Sequence, residues 1–289
     1  MSIKKILVTG ANGQLGWELS QLAASYPQYE FIFTDRSVID LSKPETLAAI
    51  INKMAPDAII NTAAYTAVDK AESEKELALA VNVKSVEQLA IIAFERKIPF
   101  ITFSTDYVFT GNATTPYTTE TALAPLNFYG STKADGERLA MAANPNTIII
   151  RTSWVFSTHG NNFVKSMIRF MKERDVLNIV SDQKGRPTYA KDLAEATMKM
   201  ILALDSGQTI KGIYHYANKG ETTWYDYCKK IQSIVGLTCQ VNSILTVDFP
   251  TPAKRPGYSV LATDKIEKEL SITIPHWETS LLECINKLS

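Results

Sequence analysis

The chain has 289 residues, and its 30 Lys and Arg balance 30 Asp and Glu, so the formal net charge is zero. This balance supplies no overall field that would favour nucleic acid or an anionic membrane as a partner, and an anionic substrate would have to meet local cations. The shares of hydrophobic residues, 45%, and charged residues, 21%, are typical of a soluble globular protein. The length is enough for one large domain, with or without a smaller lobe.

The cysteines and the N-terminal segment bear on the compartment. Cys228, Cys239 and Cys284 lack the spacing of a metal site and are predicted to be buried, reduced thiols. Reduced thiols indicate a reducing environment, and we expect a cytoplasmic protein. The apolar run before Gly10 is too short for a signal peptide and is interpreted as a strand. No apolar stretch is expected to approach the length of a transmembrane helix.

Short β-rich segments alternate with helical patterns through the first half of the chain. The predicted strands are KKILVTG, EFIFTD, DAIINTAA, IPFITFST and NTIIIRTSWVF. The predicted helices are residues 13–24, KPETLAAIINKM, SEKELALAVNVKSVEQLAIIAFERK and a helix that begins near Tyr129. Alternating strands and helices indicate parallel strands with crossover connections, so the fold class is α/β, a Rossmann-like doubly wound parallel sheet.

This alternation loosens after about Ser157. The predicted elements there are the helices NNFVKSMIRFMKER and TTWYDYCKKIQSIVG, a helix after the turn in DQKGRPT, the strand GIYHYANKG and the proline-rich loop VDFPTPAKRPGYSVLAT. We therefore predict a dinucleotide-binding domain over residues 1–156, to which some later strands and helices return. Residues 157–289 are predicted to form mainly a smaller, C-terminal substrate-binding lobe.

The segment VTGANGQLG is predicted to bind a pyrophosphate. Its glycines lie between the first strand and the first helix, where a helix N-terminus offers free N–H groups and glycine permits close approach of the backbone. An ordinary tight turn is the alternative interpretation. The GxxGxxG spacing resembles that of the extended short-chain dehydrogenase/reductase superfamily. The predicted contacts are Gly10, Asn12, Gly13, Gln14, Leu15 and Gly16.

Two residues after the second strand give opposite indications about the cofactor. Asp35 at the strand end would accept from the adenosine ribose hydroxyls and favours NAD(H), whereas Arg36 could hold a 2′-phosphate and favours NADP(H). We favour NADP(H) and leave NAD(H) open. Further predicted cofactor contacts are Asp40 and Leu41 on the adenine side, and Ala63, Ala64 and Tyr65 at the end of the third strand. Ordinary tight packing is the alternative for the two alanines.

A candidate catalytic group follows the fourth strand. Ser104, Thr105 and Asp106 end that strand and should point into the cofactor crevice. Tyr129 and Lys133 are four residues apart and share one helix face. The ammonium is expected to lower the pKa of the phenol and to reach the nicotinamide ribose, while Thr105 bonds the substrate oxygen. Because YxxxK is common by chance, the prediction depends on its combination with the glycine loop and the Ser-Thr pair.

Longer motifs resemble one family. The segments NTAAYTAVDKAESE, STDYVF, PLNFYGSTKADGE, RTSWVF, GNNF, DQKGRPT and TPAKRPGYS are similar to segments of dTDP-4-dehydrorhamnose reductases, in the same order. The resemblance extends from residue 4 nearly to the end of the chain. It implies reduction of the 4-keto group of dTDP-6-deoxy-L-lyxo-4-hexulose to dTDP-L-rhamnose, the last step in the synthesis of this nucleotide sugar for surface polysaccharide.

The resemblance also implies roles for individual residues. Tyr129 would donate the proton with Lys133 as its partner, and Thr105 and Asp106 would contact the sugar. Trp154 would pack on the substrate, with a core tryptophan as the alternative. Arg186 and Arg255 would pair with the diphosphate of the dTDP-sugar, unless they are ordinary solvated arginines.

One position departs from the pattern of the family. Some reductases of this family dimerise through a metal ion held by acidic side chains, one in the first helix and one after the PT turn. Glu18 fits the first position, but Lys191 stands where the second acid is expected, and Asp192 beside it should face elsewhere. We therefore predict no metal and leave a homodimer open.

Two alternatives to this reductase stay open at the level of sequence. One is a regulatory subunit that binds NADP without catalysis, like the subunit of similar fold that associates with methionine adenosyltransferase. The other is a related sugar-nucleotide reductase or epimerase. An epimerase would show no net consumption of NADPH.

Overall fold

A computed structural model describes residues 3–288 of the chain. Its centre is a six-stranded sheet in the order β10-β5-β4-β3-β1-β2, and every neighbouring pair in it is parallel. The strands of the protein are β1 (Lys5–Thr9), β2 (Glu30–Thr34), β3 (Ala58–Asn61), β4 (Phe100–Thr105), β5 (Ile148–Thr152), β6 (Val155–Phe156), β7 (Val176–Val180), β8 (Lys184–Gly185), β9 (Thr188–Tyr189), β10 (Gly212–His215), β11 (Thr222–Thr223) and β12 (Gln240–Ile244). The predicted fold class, a doubly wound parallel sheet, is confirmed.

Helices cover both faces of this sheet. They are α1 (Gln14–Leu22), α2 (Leu47–Met54), α3 (Val68–Ala71), α4 (Lys75–Leu79), α5 (Ser85–Arg96), α6 (Phe128–Ala143), α7 (Phe163–Glu173), α8 (Ala190–Asp205), α9 (Trp224–Val235), α10 (Asp264–Leu270) and α11 (Trp277–Asn286). Successive side chains of β1 point to opposite faces, as strand geometry requires. Ile6 and Val8 therefore join the core under α1 and α8, while Leu7 joins the core under α2 and α5.

The second half of the chain contributes to both parts of the molecule. Helix α8 packs on α1, and β10 adds the sixth strand beside β5, so residues beyond 157 complete the sheet. A separate hydrophobic core gathers α7, α9, α11 and the parallel pair of β7 and β12. The local sequence patterns do not predict β7, β12, α10 or α11. The boundary at residue 156 stays a prediction.

One helical segment meets the length and composition of a membrane span. It runs over Lys75–Arg96, with a turn of π-helix at residues 80–84 between α4 and α5, and its most apolar window has a mean hydropathy of 1.5. The expectation that no apolar stretch approaches this length is therefore wrong. Half of the window is buried inside the protein, where the segment packs on α2, α6 and β4 as a layer of the sandwich.

The predicted strand NTIIIRTSWVF is interrupted in the structure. Strand β5 ends at Thr152, and β6 pairs separately with β9. Between them Trp154 has a φ angle of +47°, in the left-handed region, so the chain cannot continue as one extended strand. This break directs the residues after β5 across the carboxyl end of the sheet.

Candidate active site

A cavity of about 820 Å³ lies at the carboxyl ends of the sheet strands. This is the edge at which doubly wound sheets bind ligands. The predicted site residues that line it are Gly10, Asn12, Gly13, Gln14, Leu15, Asp35, Arg36, Asp40, Leu41, Ala63, Ala64, Tyr65, Thr105, Asp106, Tyr129, Lys133 and Trp154. The structure thus brings these residues together, and what each one binds stays a prediction. Gly16, Arg186 and Arg255 are not part of the lining.

The glycine loop has the geometry of an anion site. Gly10 has a φ angle of +73°, and a Cβ atom there would lie 2.7 Å from the backbone nitrogen of Ala63. Helix α1 follows Gly13 without a side-chain cap, so its first N–H groups remain available to a ligand. A Cβ atom at Gly16 would lie 2.3 Å from the carbonyl oxygen of Gly10. Gly16 therefore lets the helix pack against the loop and lies behind the lining.

The two charged residues directly after β2, Asp35 and Arg36, differ in how firmly their side chains are held. The Asp35 carboxylate accepts hydrogen bonds from the backbone and hydroxyl of Ser37 and from the side chain of Asn12, and these bonds lower its pKa. Arg36 pairs with Asp40 at 3.3 Å, yet 73% of its side chain is exposed. Asp35 is thus fixed by several bonds, whereas the Arg36 guanidinium is able to turn toward a bound phosphate.

Tyr129 and Lys133 project from the first turns of α6. The helix begins after Asn127, whose side chain accepts from the backbone N–H of Gly130. Tyr129 and Lys133 are only 8% and 6% exposed, and the Lys133 ammonium donates to the carbonyl oxygen of Phe103 at 2.7 Å. Both side chains are therefore nearly buried within the cavity lining.

The pKa of Tyr129 differs from the expectation. Burial raises it to about 12, and only the nearby Thr105 hydroxyl acts in the opposite direction. Burial also lowers the pKa of Lys133 to about 8, opposed by the charge of Glu137. The prediction that Lys133 lowers the pKa of the phenol is wrong for the protein without ligands, because loss of solvent sets the direction and the opposing influence comes from the Thr105 hydroxyl, not from the Lys133 ammonium. The phenol is therefore protonated at neutral pH.

Among the residues that the structure describes, two buried side-chain oxygens of cavity-lining residues form no hydrogen bond of standard geometry. They are the hydroxyl of Ser104 and one carboxyl oxygen of Asp106. The other carboxyl oxygen of Asp106 accepts from the Thr105 hydroxyl at 3.0 Å. Burial raises the pKa of this carboxyl to about 6, although the nearby hydroxyls of Ser259 and Thr105 act to lower it. Since buried polar atoms are normally paired, these oxygens fit a site that binds a polar ligand.

A segment of the second half closes over the glycine loop. Gly160 and Asn161 line the cavity, and the His159 ring lies 3.0 Å from the carbonyl oxygen of Asn12. Asn162 donates to the side chain of Gln14, which in turn donates to Val155. These residues are not among the predicted site residues, although the GNNF motif includes Gly160, Asn161 and Asn162.

The two predicted diphosphate ligands are engaged elsewhere. The Arg255 guanidinium forms a two-pronged ion pair with Asp69 and donates to the carbonyl oxygen of Ala253. Arg186 donates to the carbonyl oxygen of Leu261 at 2.9 Å. Contact with a substrate would require both to exchange or share these partners, and their role stays a prediction.

The side chains at the two positions where the family pattern has metal-binding acids also have partners within the protein. Glu18 is buried and accepts from the Ser157 hydroxyl at 2.6 Å, and burial raises its pKa. The Lys191 ammonium lies 2.6 Å from Glu283, and Asp192 accepts from Asn218 and Ser280. Within residues 3–288 no group of three or more His, Cys, Asp or Glu side chains is arranged to hold a metal ion. The prediction of no metal stays a prediction.

Comparison with known proteins adds independent findings. Residues 4–289 match the family described as RmlD substrate binding domain. The chain is 40% identical to a dTDP-4-dehydrorhamnose reductase from Aggregatibacter actinomycetemcomitans, over 96% of this chain and 97% of that protein. It is also 40% identical to the reductase of that name from Escherichia coli K12, over 98% of this chain and 97% of that protein.

Solved structures agree with these relatives. A dTDP-4-dehydrorhamnose reductase from Clostridium acetobutylicum superposes with a TM-score of 0.91 at 38% identity, covering 98% of this chain and 99% of that chain. One from Bacillus anthracis, solved in complex with NADP, gives a TM-score of 0.92 at 33% identity, covering 99% and 100%. These similarities extend over both halves of the chain.

Proposed function

This chain belongs to the family of dTDP-4-dehydrorhamnose reductases, and from that premise we propose that it reduces dTDP-6-deoxy-L-lyxo-4-hexulose to dTDP-L-rhamnose with NADPH. It is an NAD(P)H-dependent oxidoreductase of nucleotide-sugar synthesis. The observation that carries the proposal is that Tyr129, Lys133 and Thr105 line the same cavity as the glycine loop.

The cofactor site supports NADPH as the reductant. The N–H groups before α1 would hold the pyrophosphate, and Arg36 would turn from Asp40 to the 2′-phosphate. The relative from Bacillus anthracis was solved with NADP, which agrees with this assignment. NADH remains an alternative reductant, because the Asp35 carboxylate is fixed where a ribose hydroxyl would bind.

The proton step is assigned to Tyr129. The bound dinucleotide supplies a hydride to the carbonyl carbon of the sugar. The phenol is protonated at neutral pH, because burial raises its pKa to about 12, and it would pass its proton to the oxygen that becomes the hydroxyl. Lys133, with a pKa of about 8, is charged at neutral pH and stabilises the negative charge that develops there. Reduction uses a protonated tyrosine, so the raised pKa suits this direction.

Product analysis tests the proposal. Incubation with NADPH and the ketosugar nucleotide is expected to give dTDP-L-rhamnose by NMR, with one NADPH oxidised per product formed. Tyr129→Phe should lower kcat by about 10²- to 10⁴-fold while NADPH binding persists. Tyr26→Phe, at a position outside the cavity lining, is the matched control and should keep full activity.

The outcomes also separate the alternatives. Binding of NADPH with no turnover of the ketosugar would favour the regulatory subunit. Conversion of the sugar without net oxidation of NADPH would favour an epimerase. Wild-type turnover in Tyr129→Phe would remove this tyrosine from the mechanism.

A further inference from the structure

Trp154 has a backbone conformation that calls for an explanation. Among the described residues, the non-glycine residues with positive φ angles are Ala55, Lys97, Trp154 and Ser271. Three of them are the C-terminal caps of helices, a position at which left-handed residues are common. Trp154 lies between β5 and β6, at no helix end, with a φ angle of +47°. Such strain persists only where the surroundings enforce it, and it is frequent at functional sites.

The surroundings of the Trp154 ring show what enforces it. Its indole stacks on that of Trp224, with ring centroids 3.6 Å apart and planes within 11° of parallel. A Cβ atom at Gly185 would lie only 2.6 Å from Trp154 Cε2, so glycine leaves the space in which the ring fits. The carbonyl oxygen of Trp154 accepts from the backbone N–H of Thr188 at 3.2 Å. Of these neighbours, Trp224 contacts the face of the ring.

Trp224 is itself well anchored. It is the first residue of α9, and the hydroxyl of Thr223 caps this helix by accepting from the backbone N–H of Asp226 at 3.1 Å. The Phe163 ring of α7 lies 4.6 Å from the Trp224 ring. The ring that supports Trp154 thus belongs to the core of the second half, 70 positions away in the sequence.

The stacked pair lies beside the proposed reaction centre. Both indoles line the cavity that contains Tyr129. Thr105 in β4 pairs in register with Thr152 in β5, and Trp154 follows Thr152 by two residues, at most about 7 Å along the chain. In the proposed substrate the carbon next to the ketone carries a methyl group, whose apolar surface suits an indole face.

We propose that Trp224 is a positioning residue that holds Trp154 in its left-handed conformation, so that the Trp154 indole forms an apolar wall for the methyl side of the 6-deoxy-ketosugar. The role of the wall rests on the proposed function. Trp224 acts on binding of the sugar, because Trp154 and Trp224 are not among the predicted cofactor contacts, which lie at the glycine loop, after β2, at the end of β3 and at Lys133. A change at Trp224 should therefore alter the KM for the sugar nucleotide and leave the KM for NADPH nearly unchanged.

Steady-state kinetics test the proposal. Trp224→Ala should raise the KM for dTDP-6-deoxy-L-lyxo-4-hexulose about tenfold, while kcat changes less than about threefold and the KM for NADPH less than about twofold. Trp224→Phe retains a flat ring and should give a smaller rise. Trp277→Phe is the control, since Trp277 belongs to the same core but not to the cavity lining. An unchanged KM for the sugar in Trp224→Ala, or an equal rise for NADPH, would overturn the proposal.

A double-mutant cycle tests whether Trp224 acts through Trp154. If it does, Trp154→Ala combined with Trp224→Ala should be no worse than Trp154→Ala alone. Gly185→Ala should reproduce the rise in KM for the sugar, because its methyl group displaces the Trp154 ring while Trp224 stays in place. If Trp224→Ala does not fold, the KM values of Gly185→Ala and Trp224→Phe for the sugar test the proposal in its place. Effects of the two tryptophans that simply multiply would show independent contacts and refute positioning.

Circular dichroism gives a measurement that does not depend on activity. Two stacked indoles produce an exciton couplet, which Trp154→Phe and Trp224→Phe should each abolish and Trp277→Phe should preserve. If the wild type turns over no ketosugar, the proposed function fails, and calorimetric titration with dTDP-L-rhamnose takes the place of KM. If the wild type shows the couplet and Trp224→Ala loses affinity for dTDP-L-rhamnose, the proposed role of Trp224 is still supported. A missing couplet, or affinity unchanged in Trp224→Ala, would refute it.

Discussion

Glu137 offers a test of how the protein controls the charge of Lys133. Glu137 lies one helical turn beyond Lys133 in α6, outside the cavity lining, and is 5% exposed. Its carboxylate binds the Arg151 guanidinium in two-pronged fashion, at 2.6 to 3.1 Å. Arg151 is itself 1% exposed and also contacts the His215 ring at 3.3 Å. The protein thus buries a complete ion pair behind its candidate catalytic lysine.

The perturbation is Glu137→Gln, which removes the negative charge and keeps the shape of the side chain. At about 6 Å and an effective dielectric constant of about 20, one unit charge acts on another with about 2.8 kcal/mol, or about 2 pKa units. Removing a negative charge disfavours the ammonium, so the pKa of Lys133 should fall from about 8 by one to two units. If activity needs the charged lysine, the alkaline decline of kcat/KM should move to lower pH by the same amount.

The assay is the pH dependence of kcat/KM for the ketosugar, followed by NADPH absorbance. The double variant with Glu137→Gln and Arg151→Met is the control for the unpaired arginine, and its alkaline decline should stay near that of Glu137→Gln, because the charge of Glu137 is what raises the pKa of Lys133. An alkaline decline in Glu137→Gln that coincides with the wild type would refute the electrostatic argument.

The same variants separate stability from catalysis. A buried arginine left without its partner costs about 3–5 kcal/mol, whereas replacing the whole pair is often nearly neutral. For 289 residues the entropy of unfolding is about 0.6 kcal/mol/K, so Glu137→Gln should lower Tm by about 5–8 °C. Calorimetry should show most of this loss recovered in the double variant. If Glu137→Gln lowers Tm but does not shift the pH dependence of kcat/KM, the role of Glu137 is purely structural.

Two further predictions concern the cofactor. Gly16→Ala places a methyl group 2.3 Å from the carbonyl oxygen of Gly10, so NADPH affinity measured by fluorescence titration should fall at least about tenfold. The control Gly257→Ala meets its nearest atom at an ordinary 3.5 Å and should bind NADPH normally. Arg36→Ala should raise the KM for NADPH about tenfold and leave the KM for NADH within about twofold, and equal effects on both would exclude Arg36 as the 2′-phosphate ligand.

Much of the fold follows from local patterns. The apolar strands and the crossover helices are contiguous in sequence, and parallel pairing fixes which strand ends share an edge. For that reason the glycine loop, Thr105 and the Tyr129–Lys133 pair could be placed in one cavity from sequence alone. The pairing of β7 with β12 joins segments 64 positions apart, and no local pattern predicts it.

The properties that sequence missed arise from tertiary contacts. The direction of the Tyr129 pKa depends on burial by other elements, which the spacing of two residues does not reveal. Arg255 looked available to a phosphate, but its partner Asp69 lies 186 positions away. Trp154 reads as part of a strand, and only Trp224 and Gly185 make its left-handed conformation understandable.

The return of β10 and α8 to the central sheet makes the two halves interdependent. A fragment that stopped at residue 156 would turn β5 into an unpaired edge and uncover the apolar surface of α1 that α8 shields. The second half of the chain, which contains the residue that positions the proposed apolar wall for the sugar, therefore could not be replaced by that of another protein with a single crossover point. A chimaera that alters sugar specificity would have to graft α9 and its neighbours while keeping residues 190–215 from the parent protein.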